Sequence, residues 1–263
     1  MSSFNEGYAT YYDLLYRDKD YAGEAKFVHD LLKQHAPKAR SLIELGCGTA
    51  RHARELLAAG YRVLGVDLSH QMIARAETEC AQLPARQREQ LRLTQGDVSR
   101  FQTDEQFDAA ISLFHVINYQ LTHDALRGYF ETAAKAVRPG GVFLFDCWYG
   151  PAVLSDRPAV RIKRAETPEV RVTRLAEPCV EVNRNLVTVN YTLLAQPREG
   201  GPTGEFTEQH TVRYLFLPEL EQLAAEAGFA VLETGQWLTR QMLSDRTWFG
   251  YFVLRRQPAR RVN

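Results

Sequence analysis

Ser41-Leu42-Ile43-Glu44-Leu45-Gly46-Cys47-Gly48-Thr49-Ala50-Arg51-His52-Ala53-Arg54 is the stretch on which the reading of the chain turns. Leu42, Ile43 and Leu45 form a short apolar run suited to a strand buried on both faces. Gly46 and Gly48 then remove side chains where the backbone must turn tightly and let a ligand approach. Ala50, Ala53, Leu56 and Leu57 follow at helical spacing, so the unbonded N–H groups at that helix start point back into the glycine turn. Strand, glycine turn and helix together read as a cofactor site.

A dinucleotide fingerprint needs a third glycine for close helix packing, whereas Gly46-Cys47-Gly48 is followed by Thr49, Ala50 and Arg51. Glu44, at the strand end, would repel a pyrophosphate but can hold a ligand amine directly or through water. The next strand, Arg62 to Val66, ends in Asp67, placed to accept ribose hydroxyls. Ser69 is suited to cap a following helix, and Gly96-Asp97-Val98 follows the alternating Leu91-Arg92-Leu93. Singly, Met72 also reads as core and Asp97 as a turn residue.

In this order, at successive strand ends, these elements resemble the class I S-adenosylmethionine-dependent methyltransferases. The resemblance implies that Gly46 and Gly48 face the methionine part of the cofactor and that Met72 lies against the adenine. It also implies that Asp97 and Val98 meet the adenine amino group and ring, and that Leu113 belongs to the cofactor site.

The chain has 263 residues, 45% hydrophobic and 24% charged, enough to bury a full core as one globular unit with an inserted subdomain. No apolar run reaches the length of a membrane span and the N-terminus lacks a signal-peptide pattern, so a soluble, cytoplasmic protein is expected. Cys47, Cys80, Cys147 and Cys179 are scattered without metal or redox spacing, so reduced thiols are expected. Formal net charge is zero, which disfavours nucleic acid as a partner.

Tyr8, Tyr11, Tyr12 and Tyr16 mark either an amphipathic lead-in helix packed on the core or a lid over the cofactor. A helix through Val28, Leu31 and Leu32 stops before Pro37. Phe107 to Leu113 reads as a fourth buried strand whose tip, Phe114-His115-Val116-Ile117-Asn118-Tyr119, should face the transferred group. His115 is either an acid or base, since imidazole titrates around neutral pH, or a structural histidine bonded to backbone. Asn118 and Tyr119 are polar candidates for holding an acceptor. A helix from Leu126 to Val137 ends at Arg138-Pro139-Gly140-Gly141, before a fifth strand, Val142 to Asp146.

The chain divides into a lid and cofactor core (1–150), an inserted antiparallel sheet (151–216) and a completion of the core (217–263). The insertion opens on a non-helical stretch from Asp146 to Pro151, and its β-branched runs include Val170 and Val172 and Val187 to Leu193. A hairpin loop, Pro197 to Gly204, leads to a return strand with Glu208, His210 and Val212 on one face and Arg213 on the other. Emerging at the ligand-binding edge, the sheet can roof an acceptor pocket or be surface decoration. Two last strands, Phe229 to Trp237 and Trp248 to Leu254, follow a helix from Leu217 to Ala227, and Arg255, Arg256, Arg260 and Arg261 form a basic tail. The fold class is α/β, a Rossmann-like, mostly parallel seven-stranded sheet with helices on both faces plus that insertion. Its antiparallel final strand is an expectation from the resemblance.

Within the superfamily, the chain is most similar to bacterial N-methyltransferases of nucleotide-linked amino sugars. The motifs are the tyrosine-rich opening with Lys19-Asp20-Tyr21, Ser112-Leu113-Phe114-His115, and Glu208-x-His210-x-x-Arg213-Tyr214. The resemblance implies that Tyr12 and Tyr21 close on the cofactor, with Tyr12 also near the chemistry, and that His115, Asn118 and Trp148 approach the sugar. Tyr119, His210 and Arg213 complete the implied substrate set. In this chain Glu44 stands where that family usually has Asp, and Ala50 replaces a glycine.

The expected reaction is direct displacement, with a neutral amine attacking the sulfonium methyl in line and His115 or water taking a proton. No metal is expected, because Asp146 lacks obvious acidic neighbours. The expected partner is a small-molecule acceptor, without nucleic acid or membrane, and the protein a monomer or homodimer. An O-methyltransferase shares every cofactor motif. A nicotinamide oxidoreductase is disfavoured by the missing third glycine, and a non-catalytic cofactor-binding scaffold is the remaining alternative.

Overall fold

The computed structural model describes residue 11 and residues 14–258. The expectations for Tyr8 and Tyr12 and for Arg260 and Arg261 fall outside them. Helix α1 (Tyr21–His35) leads into strand β1 (Ser41–Leu45), helix α2 (Arg51–Ala58), strand β2 (Arg62–Asp67), helix α3 (His70–Cys80), short helix α4 (Ala85–Glu89) and strand β3 (Leu91–Gln95). Strand β4 (Phe107–Ser112), a 3₁₀ turn (Val116–Tyr119), helix α5 (His123–Ala136) and strand β5 (Val137–Trp148) follow. Then come helix α6 (Gly150–Ser155) and strands β6 (Arg161–Glu166), β7 (Val170–Glu181), β8 (Leu186–Pro197) and β9 (Gly204–Arg213). Helix α7 (Leu217–Glu226), strand β10 (Phe229–Gln236) and strand β11 (Phe249–Arg256) end the fold.

Among the described residues these strands make a seven-stranded sheet in the order β10-β11-β5-β4-β1-β2-β3 and a four-stranded sheet in the order β6-β7-β8-β9. The run β3-β2-β1-β4-β5 is parallel, and β11 runs antiparallel to both its neighbours. The strand alternation divides the core in two. Leu42, Ile111 and Leu144 point to one face, where α1 and α2 supply Val28, Leu32, Leu56 and Leu57. Ile43, Phe143 and Phe145 point to the other, against Leu126, Tyr129 and Phe130 of α5 and Leu220 and Leu223 of α7. Side chains cap three of the helices: Ser69 for α3, as its sequence suggests, and also Asp20 for α1 and Thr122 for α5.

The strand order reverses between β1 and β4, which opens a crevice at the carboxyl ends of those two strands. The inserted sheet covers part of this end. One face of β8 carries Val187, Val189, Leu193 and Ala195. Val187 and Val189 pack with Val153, Tyr214, Tyr119 and Trp148 near the β5 tip, whereas Leu193 and Ala195 pack with Leu15, Tyr11, Leu14 and Tyr16. The described part of the tyrosine-rich lead-in therefore packs on the inserted sheet.

Three local expectations change. The stretch after Asp146 is not wholly irregular, because Pro151 sits in the first turn of α6, where its missing N–H costs nothing. Strand β5 begins at Val137, and a register irregularity between the pairs Phe107–Val137 and Ala109–Val142 absorbs the proline–glycine turn. The inserted sheet also has an unanticipated first strand, β6, whose sequence Arg-Ile-Lys-Arg-Ala-Glu hides it because an edge strand keeps its charges in water.

Asn118 fastens the insertion to the core. Its Nδ2 donates to Arg213 O at the end of β9, and its Oδ1 accepts from Trp148 N at 3.1 Å. Beside it, Leu215 N donates to Trp148 O at 3.1 Å, so both ends of the insertion are tied at one place. Asn118→Ala should leave two buried backbone groups unpaired and lower stability by about 2–3 kcal/mol in urea unfolding. An unchanged midpoint would show that the clamp is dispensable.

Candidate functional site

The glycine turn after β1 is shaped by what surrounds it. Gly46 has φ 81° and a Cβ there would lie 2.4 Å from Val116 Cγ2, so the 3₁₀ turn packs directly over it. Gly48 has φ 53° and a Cβ there would meet nothing within 4 Å, which leaves its backbone open on one side. Gly48 N donates to Asp67 Oδ2 at 2.8 Å, and Asp67 Oδ1 accepts from Ser69 N at 2.9 Å. Asp67 thus holds the turn as well as standing at the β2 tip, and burial raises its carboxyl above the usual range. Ala50 caps α2 without a side-chain hydrogen bond, so the first N–H groups of that helix remain directed into the cradle.

Glu44 closes the base of this cradle. It is 1% exposed, its Oε2 has no hydrogen-bond partner, and its Oε1 lies 3.8 Å from His52 Nδ1. Burial, reinforced by the negative charge of Asp67 and opposed by a bond from the Ala53 backbone, pushes its carboxyl up to about 8. An unpartnered buried carboxylate oxygen beside an open glycine turn fits the ammonium group at the amino-acid end of the cofactor implied by the motifs. Met72 is buried behind the Ser69 cap, and Val98 is buried in the core. Asp97 spends Oδ1 on Ser99 N and Oγ, at 2.9 and 2.7 Å, as a turn residue does. Leu113 is buried at the β4 tip, and Tyr21 lies edge-on to His52 at 5.0 Å, above the start of α2.

Beyond the tips of β4 and β5 lies a cavity of about 300 Å³ lined in part by Phe114, His115, Asp146 and Phe249. Ser112 Oγ donates to Leu45 O at 2.6 Å and locks the β4 tip to the β1 tip. Phe114 and His115 then both adopt left-handed backbone, φ 66° and 65°, at a cost of about 1–3 kcal/mol each. Asp146 offsets it: Oδ1 accepts from His115 N at 3.2 Å, and Oδ2 lies 2.5 Å from His115 Nδ1, out of line with a ring hydrogen bond. The imidazole stacks on Phe249, with centroids 4.5 Å apart and planes 12° apart. A carboxylate at Nδ1 favours the tautomer that leaves Nε2 as the proton acceptor. Tyr16 and Lys19 from the lead-in, Lys163 of β6 and Trp237 complete other walls. Trp148 stands edge-on to His115 at 6.5 Å.

Two of the implied substrate residues are committed elsewhere. Asn118 has both amide groups on backbone, as described above. Arg213, on the opposite face of β9 from His210, donates to Glu219 Oε1 at 2.6 Å and lines a separate depression of about 710 Å³. Its strand position turns it from the His115 cavity towards α7. Tyr119 and His210 bond each other, Oη to Nδ1 at 2.9 Å, where the inserted sheet meets the core, and burial pushes the Tyr119 phenol well up.

Asp146, Phe249, Lys163 and Glu24 are wall residues to which sequence reading gives no role in the site. Only Asp146 carried a signal, as an acid ending a buried strand like Asp67.

The raised Glu44 carboxyl has a defined sign. The native state keeps a proton that the unfolded chain loses from about 4.5, so the ligand-free protein should lose stability as pH climbs from there to about 8. Glu44→Gln should remove this slope, raise the thermal midpoint at pH 8 and weaken cofactor binding. An unaltered slope in melts at pH 5 and pH 8 would contradict the assignment.

The family model that matches, a methyltransferase domain, covers residues 42–141. The chain is 30% identical over 211 residues to the dTDP-4-amino-2,3,4,6-tetradeoxy-D-glucose N,N-dimethyltransferase of Saccharopolyspora spinosa, covering 79% of each. It is 29% identical over 226 residues to the dTDP-3-amino-3,4,6-trideoxy-alpha-D-glucopyranose N,N-dimethyltransferase of Streptomyces venezuelae, covering 85% of this chain and 90% of that one. The structure superposes on the sugar N-methyltransferase KedS8 of Streptoalloteichus sp. with a TM-score of 0.80 at 25% identity, over 98% of this chain and 96% of the other. Matched across both its seven-stranded core and its inserted sheet, the chain belongs to the class I S-adenosylmethionine-dependent methyltransferases.

Proposed function

We propose that this protein transfers a methyl group from S-adenosylmethionine to the amino group of a nucleotide-linked sugar. The observation that carries the reading is the cavity holding His115 and Asp146 between the β4 and β5 tips and the inserted sheet. Relatives that act on dTDP-linked amino sugars support the same acceptor class. Of the two ammonium groups on the walls, Lys19 is paired with Glu24, and Lys163 of β6 is the cation placed to meet the negative charge of a nucleotide diphosphate.

The cofactor supplies a methyl group already activated on a positive sulfur. The chain's own residues bind, orient and exclude water. Glu44 takes the ammonium, Asp67 the ribose hydroxyls, and Met72, Asp97 and Val98 the adenine. His115 Nε2 takes the proton released as the neutral amine becomes alkylated, and Asp146 holds the imidazole in that orientation. The inserted sheet acts as the roof of the acceptor site, with Tyr21 closing over the cofactor.

Mass spectrometry of reactions with nucleotide-linked amino sugars and their hydroxy counterparts tests this reading. Amino sugars alone should gain mass, and His115→Ala should slow transfer by about a hundredfold. Mass gain confined to hydroxy sugars would refute the amine acceptor, and full activity in His115→Ala would refute the base.

A further inference from the structure

Behind the glycine turn runs a line of buried charge that cofactor and acceptor recognition leave unexplained. His52, in the first turn of α2, is 5% exposed on the helix face that also buries Ala53, Leu56 and Leu57. Its Nε2 lies 2.7 Å from Glu24 Oε2 of α1, and its Nδ1 faces Glu44 Oε1 at 3.8 Å. The other Glu24 oxygen pairs with Lys19 Nζ, which sits 4.4 Å from the Phe114 ring centroid. Lys19 and Glu24 both line the cavity that holds His115. The four groups Glu44, His52, Glu24 and Lys19 therefore reach from the cofactor cradle to the acceptor cavity. Buried ionisable groups are costly, and an apolar residue at position 52 would suit helix packing at least as well.

We propose that His52 is a positioning residue that takes the proton of Glu44 when the cofactor's α-ammonium arrives, so that the ammonium meets a carboxylate. The O–H bond at Glu44 Oε1 breaks and an N–H bond forms at His52 Nδ1, while Nε2–H stays directed at Glu24. No proton leaves the protein. The 3.8 Å gap closes by side-chain rotation or through one water. Glu24, itself held by Lys19, keeps the resulting imidazolium in place.

The surroundings support this direction. Burial opposes the charge on Glu24, yet its bonds to His52 and Lys19 prevail and hold it at about 2, ready to face a cation. Glu44 is protonated before the ligand arrives for the reasons given above. The other groups facing the pair are Asp67 at the β2 tip, the Cys47 thiol in the turn and the Tyr21 ring with Arg51 over it. Asp67 and Cys47 are acids, so the nearby base that can accept the Glu44 proton is His52.

The proposal needs only the cofactor, so its failure leaves the amino-sugar reading untouched. Titration calorimetry with S-adenosylhomocysteine from pH 6 to pH 8, in two buffers of different ionisation heat, counts protons released on binding. 5′-Methylthioadenosine, which lacks the ammonium, is the control ligand. The wild-type protein should release no proton and bind with nearly constant affinity. His52→Gln must expel the Glu44 proton to solvent, so it should release about one proton, with affinity falling by up to about tenfold per pH unit below pH 8. Binding of 5′-methylthioadenosine should be the same in both. Equal proton counts in the two proteins, or an equal loss for the control ligand, would overturn the proposal. If His52→Gln does not fold, Glu24→Gln carries the test: it should release a fraction of a proton, and a wild-type count would overturn the proposal.

Discussion

The parallel pairing of β1 with β4 is the constraint on which the rest depends. Because β2 and β3 lie on one side of β1 and β4 and β5 on the other, the two connections leave β1 and β4 in opposite directions. The gap between them leaves the backbone of the glycine turn open on one side to a ligand. Ser112 Oγ on Leu45 O closes the strands behind it, and Val116 over Gly46 closes the turn. The glycine cradle and the His115 cavity are thus two sides of one strand junction.

Charge is buried around that junction in pairs of opposite character. Asp146 meets His115 on the acceptor side, and Glu24 meets His52 on the cofactor side. Each pair joins elements far apart in the chain, and each imidazole is held by a carboxylate at one nitrogen while the other faces the chemistry or Glu44. Glu44 differs, since its Oε2 has no protein partner. A domain that tolerates such a group sacrifices stability at its site for ligand affinity.

The inserted sheet is joined to this junction by polar clamps and apolar contact. Asn118 and the backbone bonds around Leu215 fasten its ends, while Val187, Val189 and Tyr214 pack near the β5 tip. The lead-in segment lies on the same face of the sheet. Its contribution to the cavity, through Tyr16 and Lys19, therefore depends on the insertion beneath it.

By itself the sequence determined the layered α/β core, because apolar runs with period 2 and 3.6 and glycine at strand ends are local signals. It also placed Glu44, Asp67, Asp97 and His115 at strand tips in the right order. The amphipathic part of the insertion was legible, but β6 was not, since an edge strand that keeps its charges in water carries no apolar pattern. Only the tertiary structure decided the partners. His115 meets Asp146 31 residues away and His52 meets Glu24 28 residues away, distances over which chain order says nothing about approach. Asn118 and Arg213 read as substrate residues for the same reason, since a polar side chain looks alike whether it faces a ligand or a backbone carbonyl. Which protein groups it bonds follows from burial, and burial is a property of the packed fold.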